Sequence, residues 1–156
     1  VLQPILKKIS ESKGELNQED LITVYDQFIL NVKGPLKFIQ LDSSPNRDTF
    51  NFIIEYNGQE NHLTASGSGP VEACYRALIQ MKFDFHLLEY KQAAMDIEHK
   101  DFAAYALSEI CLQGKRKEGT KFTVVGRAKD LDTVKANIKA MINGVNLLLK
   151  EQNQSE

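Results

Sequence analysis

The sequence predicts an α+β fold built from two βββα units, preceded by a short helical linker segment. Apolar residues alternate in six segments, and helical spacing follows the third and the sixth of them. The two strand-to-helix junctions, HLTASGSGPVEACYRALIQM and FTVVGRAKDLDTVKANIKAM, can be superposed, which indicates a duplicated unit. A chain of 156 residues with 42% hydrophobic content can bury the core that such a domain needs.

Residues 1–31 have the spacing of two short helices. The stretch SESKGELN interrupts the pattern, and Asn17 is the predicted cap of the second helix, with acidic residues in its first turn. The apolar face of that helix contains Leu21, Val24, Tyr25, Phe28 and Ile29. Because the chain begins at Val1 rather than at a methionine, we expect this segment to follow another domain upstream.

The first βββα unit is predicted at about 34–82. Its strands are LKFIQLDS, TFNFIIEY and ENHLTAS, separated by the turn sequences SSPNRD and NG. Its helix should run from Pro70 to about Lys82. One face of that helix contains Val71, Cys74, Leu78 and Met81.

The second unit is predicted at about 83–150. FDFHLLEYKQA, DFAAYALSEICLQ and KEGTKFTVVGRA are its strands, and GKRKEG is a hairpin tip. The final helix should run from about Asp132 to Lys150. Its apolar face contains Val134, Ile138, Met141, Val145 and Leu148. The KRK run in the tip favours a solvated turn over a basic patch.

Composition argues against two classes of partner. The 19 basic and 21 acidic residues give a net charge of −2, without a long run of either sign, so nucleic acid is not expected as a partner. Apolar stretches fall short of the ~20 residues that span a bilayer, and the amino terminus lacks a signal-peptide pattern. These features predict a cytoplasmic protein that does not bind membranes.

The cysteines and histidines predict no reactive or metal site. Cys74 and Cys111 lie among apolar neighbours, which favours buried free thiols over a disulfide or a nucleophile. His62, His86 and His99 have no ligand-type spacing with each other or with the cysteines.

The stretch SGSGPVEA is the candidate binding motif. Pro70 suits the first position of a helix, which leaves Gly69 as the cap and the amides of Gly69, Val71 and Glu72 free to face an anion. Gly67 and Gly69 would let a ligand approach the backbone. A dinucleotide loop would need a third glycine, a P-loop would end in Gly-Lys-Ser/Thr, and a KH loop would have basic neighbours. A small anion such as a carboxylate, or a purely structural turn, remains.

The segments SGSGPVEACYRAL, LEYKQAAM and FAAYALSEI resemble the carboxyl-terminal regulatory domain of 2-isopropylmalate synthase. VYDQFILNVKGPLKFIQLDS and VVGRAKDLDTVKANIKAMINGVN are similar to the same family, so the resemblance runs from about Leu21 to Asn146. It implies two βββα units related by a pseudo-twofold, over residues 32–156, with 1–31 as the linker from an absent catalytic barrel.

The resemblance also implies a function. Domains of this family pair as a homodimer, act on the catalytic barrel of the same chain, and bind leucine as feedback inhibitor of leucine biosynthesis. The parent enzyme is an acyltransferase that condenses acetyl-CoA with 2-oxoisovalerate, using a divalent metal in the barrel. The sequence contains nothing similar to that barrel's metal-ligand motif, so neither catalysis nor a cofactor is predicted for this chain.

Nine residues are implied as the effector site. The glycine loop and first helical turn should hold the carboxylate, apolar positions on the next strand should hold the side chain, and an aspartate or loop carbonyls should hold the ammonium. Which aspartate does so is open, and the family places Tyr90 opposite the glycine loop. The residues are Gly67, Gly69, Val71, Glu72, Leu87, Tyr90, Ala94, Asp130 and Asp132.

Three alternatives remain open. The same domain in citramalate synthase binds isoleucine, which differs from leucine in where one methyl branches. A purely structural dimerisation module would leave the glycine junction empty. A stand-alone enzyme is the least favoured, because no paired carboxylates, catalytic triad or metal cluster can be assembled from the sequence.

Overall fold

The computed structural model describes residues 32–46, 48–94 and 105–154, and it confirms an α+β fold of two βββα units. The first unit contains β1 Leu36–Ser43, β2 Thr49–Tyr56, β3 Gln59–Ser66 and α1 Pro70–Gln80. The second contains β4 His86–Ala94, β5 Ala106–Lys115, β6 Lys121–Asp130 and α2 Thr133–Gln154. The helices predicted within residues 1–31 lie outside the described residues.

Each unit forms a three-stranded antiparallel sheet, in the order β1-β2-β3 for the first sheet and β4-β5-β6 for the second. The NG turn joins β2 to β3, and Asn57 and Gly58 have φ of 52° and 81°, as a two-residue type I′ hairpin requires. The tip between β5 and β6 is also a tight turn, in which the Arg116 amide donates to the Thr120 carbonyl at 2.8 Å.

The first strand of each unit contains a β-bulge in its first half. Pairing of β1 with β2 skips Ile39, and pairing of β4 with β5 skips Leu88. Both side chains are exposed, Ile39 to 45% and Leu88 to 50%. Bulges of this kind bend an edge strand and locally interrupt its pairing with the neighbouring strand. The two units therefore share a local irregularity as well as an element order.

The core lies between the sheets and the two helices. Buried side chains alternate along β5 and β6 and recur with helical spacing on both helices, as the sequence patterns predict. Burial of each large apolar side chain stabilises the fold by about 1.5–3 kcal/mol. The largest fully buried apolar residues are Phe52, Ile54, Cys74, Leu78, Ile110, Leu112, Ile138, Met141 and Val145.

Helix α2 holds the two units together. It packs on β5 and β6 and also contacts β1 and α1. The side-chain amide of Asn146 pairs with the backbone of Leu36 in both directions, accepting from its N–H at 3.1 Å and donating to its carbonyl at 3.0 Å. Asn146 is only 2% exposed. A buried amide needs such partners, so this pair fixes the first strand of one unit to the helix of the other.

Two details differ from the sequence-based expectations. Helix α1 ends at Gln80 rather than Lys82, because Lys82 adopts a φ of 74°, and α2 continues to Gln154. Both cysteines are free, but only Cys74 is buried, where loss of solvent raises its pKa to about 12. Cys111 is half-buried, because it lies on the face of the second sheet opposite α2. Neither of the described helices is long and apolar enough to cross a membrane.

Candidate functional site

The glycine junction, residues 66–70, joins β3 to α1. Gly69 is the cap of the helix, in an extended conformation with φ −169° and ψ 179°, and no side chain caps the helix end. Pro70 occupies the first turn, and the first helical hydrogen bond runs from the Ala73 amide to the Gly69 carbonyl at 3.1 Å. The helix start therefore presents backbone N–H groups and a partial positive charge, which favour an anion.

Glu72 folds back over the junction. Its carboxylate accepts from the Ser68 hydroxyl at 2.6 Å and from the Ser68 amide at 3.3 Å. Arg76 adds two further contacts. One guanidinium nitrogen lies 2.6 Å from the Glu72 carboxylate, and another donates to the Ser66 carbonyl at 3.0 Å. The side-chain and backbone hydrogen bonds from Ser68, followed by the charge of Arg76, lower the pKa of Glu72. Its ionised carboxylate holds the shape of the junction.

The two glycines of the junction differ in their surroundings. A Cβ atom at Gly67 would lie 2.8 Å from the Ala73 amide nitrogen and 3.2 Å from the Glu72 Cβ, so close packing requires glycine there. A Cβ atom at Gly69 would meet nothing within 4 Å apart from the adjoining residues of the chain. Since any residue adopts the extended backbone of Gly69, folding of the described residues does not require glycine at that position. The space in front of the helix start is open.

The second group of candidate residues lies on the second sheet. In an antiparallel sheet, directly paired residues form rows across neighbouring strands and share one face. Register places Tyr90 beside Ile110, and Ala94 in the row that ends at Asp130. The rows on the face that carries α2 are Leu87–Leu112–Val124, Tyr90–Ile110–Gly126, Gln92–Ser108–Ala128 and Ala106–Asp130.

Tyr90 lies on that face but is not a core residue. Its exposed fraction is 54%, because α2 packs on β5 and β6 while β4 forms the edge of the sheet. Leu87, on the same strand, is partly buried against the core. The side-chain Nε2 of Gln92 donates to the Thr133 carbonyl at 3.4 Å and connects β4 to the start of α2. The Tyr90 ring is therefore accessible beside α2, where a ligand or a partner can contact it.

The two aspartates have different structural roles. Asp132 caps α2 by accepting from the amides of Val134 at 2.8 Å and Lys135 at 3.3 Å. Asp130 accepts from Lys139 Nζ at 2.6 Å and from the Asp132 amide at 2.9 Å. Burial raises the pKa of Asp130, but the hydrogen bonds from Lys139 and Asp132 and the lysine charges together outweigh it, so its pKa is lowered. Asp130 is thus a partly buried carboxylate that its neighbours keep ionised.

The structure arranges the nine implied residues in two groups on different elements. Gly67, Gly69, Val71 and Glu72 lie at the junction and the start of α1. Of the remaining five, Leu87, Tyr90 and Ala94 lie on β4, Asp130 is the last residue of β6, and Asp132 precedes α2. The Val71 side chain is only 6% exposed and belongs to the core, so it offers a ligand its backbone amide alone. Among the residues that the structure describes, no three His, Cys, Asp or Glu side chains are placed to hold a metal ion.

Sequence reasoning missed four residues that shape these groups. Ser68 and Arg76 flank Glu72 at four-residue spacings, and that spacing is a readable signal for a braced helix start. Lys139 and Gln92 gave no such signal. Lys139 lies on α2 and reaches Asp130 at the end of β6. Gln92 lies on β4 and reaches Thr133 at the start of α2.

Comparison with known proteins identifies a family and a set of relatives. A family described as the LeuA allosteric (dimerisation) domain matches residues 15–149. A 2-isopropylmalate synthase of Aquifex aeolicus is 28% identical over 146 residues, which cover 90% of this chain and 26% of the relative. Another from Clostridium acetobutylicum is 26% identical over 152 residues, covering 91% of this chain and 26% of the relative.

A third relative, from Lysinibacillus sphaericus, is also a 2-isopropylmalate synthase. It is 28% identical over 153 residues, covering 93% of this chain and 28% of the relative. The chain therefore spans about a quarter of the length of the curated relatives that it matches.

Proposed function

The chain belongs to the LeuA allosteric (dimerisation) domain family, and from that premise we propose that it is the regulatory and dimerisation domain of a 2-isopropylmalate synthase. We propose further that it binds leucine as a feedback inhibitor. The parent enzyme would condense acetyl-CoA with 2-oxoisovalerate in a separate barrel with a divalent metal. This chain would contribute the effector site and the pairing surface.

Leucine requires three kinds of contact from such a site. Its carboxylate would bind the amides at the start of α1, where the helix dipole and the absent cap favour an anion. Its side chain would pack on the open surface of Leu87 and Tyr90. Its ammonium would bind Asp130, which shares a row with Ala94 and retains acceptor capacity beside Lys139.

The observation that carries the proposal is the open space in front of Gly69. Each βββα unit ends in a helix that follows its third strand, and the two helices begin differently. The start of α2 is capped by the carboxylate of Asp132, whereas the start of α1 has no side-chain cap and space for a ligand. A carboxylate from outside the chain would complete α1 as Asp132 completes α2. Within the matched family, that supports a small carboxylate as ligand.

Titration calorimetry with leucine, isoleucine and valine tests the proposal. We expect saturable heat with leucine. Valine should bind about fourfold more weakly, because it buries one methylene less, worth about 0.8 kcal/mol. Tighter binding of isoleucine would assign the domain to the citramalate synthase type. Absence of heat with all three amino acids would contradict effector binding and favour a structural junction.

We propose that the domain pairs with a second copy, as the description of its family indicates. Ile39, Leu88 and Tyr90 are large exposed side chains on edge strands, and they are candidate contacts for the second copy. Sedimentation at micromolar concentration should give about twice the chain mass of 17.6 kDa. A single 17.6 kDa species at that concentration would contradict this proposal.

A further inference from the structure

The residues proposed to contact leucine belong to both units. Gly69 and Val71 lie at the start of α1 in the first unit, whereas Tyr90 and Asp130 lie in the second. A ligand that contacts both groups binds tightly only when the units are already held in one relative orientation, because ordering them on binding costs free energy. Contacts between the units can therefore set the affinity for the effector.

Two kinds of contact join the units. Helix α2 packs against α1 within the shared apolar core, and apolar attraction is non-directional. The pair formed by Asn146 and Leu36 is directional, because the amide oxygen accepts from the Leu36 N–H at 3.1 Å while the amide nitrogen donates to the Leu36 carbonyl at 3.0 Å. Two hydrogen bonds to one residue restrict both the position of β1 along α2 and its rotation about the contact.

The Asn146–Leu36 pair is enclosed. Each of the two residues is 2% exposed, so water cannot readily replace a lost hydrogen bond. A Cβ atom at Gly34 would overlap the Asn146 side chain, so the chain that leads into β1 packs directly on the amide. A side chain at this position that cannot make both hydrogen bonds would leave a buried polar group of Leu36 unpaired, which favours movement of β1 away from α2.

Two other asparagines of α2 show what is particular to Asn146. Asn137 accepts from the Ser108 hydroxyl of β5 at 2.6 Å, and Asn143 donates to the Arg127 carbonyl of β6 at 2.7 Å. Both hydrogen bonds lie within the second unit. Asn146 makes the corresponding contact with a strand of the first unit.

We propose that Asn146 is a positioning residue for the effector site. Its pair with Leu36 sets the orientation of the first unit relative to the second, and that orientation brings the glycine junction and the exposed surface of β4 into the arrangement that binds one leucine. The orientation follows from the contacts of α2 alone, whereas its effect on affinity rests on the proposed leucine site.

Asn146→Asp tests the proposal in the full chain, because the new side chain has almost the same shape and two protonation states. The protonated acid can accept from the Leu36 N–H and donate to the Leu36 carbonyl, as the amide does. The carboxylate can only accept, and it repels that carbonyl. Burial raises the pKa of such a carboxyl above its ordinary value, so the pair should form below the raised pKa and be lost as the pH rises through it.

Leucine affinity should follow the same titration. In Asn146→Asp we expect the dissociation constant from calorimetry to rise at least about tenfold as the introduced carboxyl ionises, with a midpoint equal to the pKa that carbon NMR measures for that carboxyl. In the wild type and in Asn143→Asp it should change by less than about twofold over the same pH range. Asn143→Asp is the matched control, because it changes the same group on the same helix in a contact within the second unit.

Other ionisable groups on the elements around α2 are the same in the variant and the wild type. On the strand faces that carry α2, Asp130 is held ionised by Lys139. On the buried face of α1, the pKa of Cys74 is raised to about 12, which keeps the thiol neutral. The lysines beside the pair are Lys33 and Lys37, which line the space between β1 and α2, and Lys150, one turn along α2. A titration seen in the aspartate variant alone therefore belongs to the introduced carboxyl.

Residual dipolar couplings measure the orientation of the units without leucine. Couplings from the two sheets of Asn146→Asp should fit the wild-type arrangement below the pKa of the introduced carboxyl and depart from it above, while couplings within each sheet stay native-like. A fit to the wild-type arrangement at both pH values would overturn the positioning role.

The two measurements separate this inference from the proposed function. Leucine binding by the wild type, with the same affinity in Asn146→Asp above and below the pKa of the new carboxyl, would overturn the effect on the effector site. Absence of leucine binding by the wild type would contradict the proposed function, and the couplings would still decide whether Asn146 sets the orientation.

Discussion

Replacing Gly69 with valine should abolish leucine binding and leave the domain folded. The valine side chain would fill the space in front of the start of α1, where the leucine carboxylate is proposed to bind. The backbone is extended at this position, and apart from the adjoining residues of the chain no described atom lies within 4 Å of the new Cβ. We expect affinity to fall at least about 100-fold, or about 2.7 kcal/mol, with stability changed by about 0.5 kcal/mol or less.

Calorimetry and thermal unfolding of the same sample measure the two effects, and Gly67→Val is the matched control. At Gly67 the new Cβ would press on the Ala73 amide and on Glu72, so this variant should lose about 1–3 kcal/mol of stability. The junction thus contains one glycine that the fold requires and one that the proposed ligand would require. Unchanged leucine affinity in folded Gly69→Val protein would place the ligand away from the junction.

Replacing Gly126 with valine should remove most of the stability of the domain. A Cβ atom at Gly126 would overlap the Ala140 carbonyl and the backbone of Gly144, so the strand and α2 would have to separate. Overpacking against side chains costs about 1–3 kcal/mol. Backbone atoms of a packed helix cannot move aside as a side chain can, so we expect a loss above about 3 kcal/mol in urea unfolding.

Gly114→Ala provides the comparison for Gly126. A Cβ atom at Gly114 would lie 2.9 Å from Leu148 Cδ2 and 3.3 Å from a ring carbon of Phe122, both of them side-chain atoms. Its stability loss should therefore be the smaller of the two. If Gly126→Val were as stable as Gly114→Ala, α2 would have to lie farther from β6 than the structure places it.

The order of elements could be predicted because it depends on local patterns. Alternation identified the six strands, and the NG and GKRKEG sequences specified their turns. The same alternation is misleading in one segment. Phe83 and Phe85 alternate like strand residues, yet β4 begins only at His86. These rings instead pack edge-on against Tyr56 and Tyr75, each with centroids 5.1 Å apart, and fill space in the core.

Contacts between distant segments could not be predicted from one sequence. Asn146 pairs with Leu36 across 110 positions of the sequence, and nothing in the sequence around a helical asparagine indicates which residue it will bind. The bulges at Ile39 and Leu88 depend on strand register, which alternation alone does not specify at an edge strand.

For the candidate site, sequence located the junction but not the difference between its glycines. Gly67 and Gly69 are two positions of one short motif, and only the packing of Glu72 and Ala73 distinguishes them. Asp130 and Asp132 are similarly close in sequence. The structure uses Asp132 as a helix cap and pairs Asp130 with Lys139, which favours Asp130 for the proposed ammonium contact.

The central claim is that one leucine contacts both the glycine junction and the open surface of β4. Amide chemical shifts of isotope-labelled protein, followed by NMR during a leucine titration, test it most directly. We expect saturable shifts of the Gly69, Val71 and Glu72 amides together with that of Tyr90, all with the same dissociation constant. Shifts confined to one of the two groups, or centred on other residues, would contradict a single site built from both.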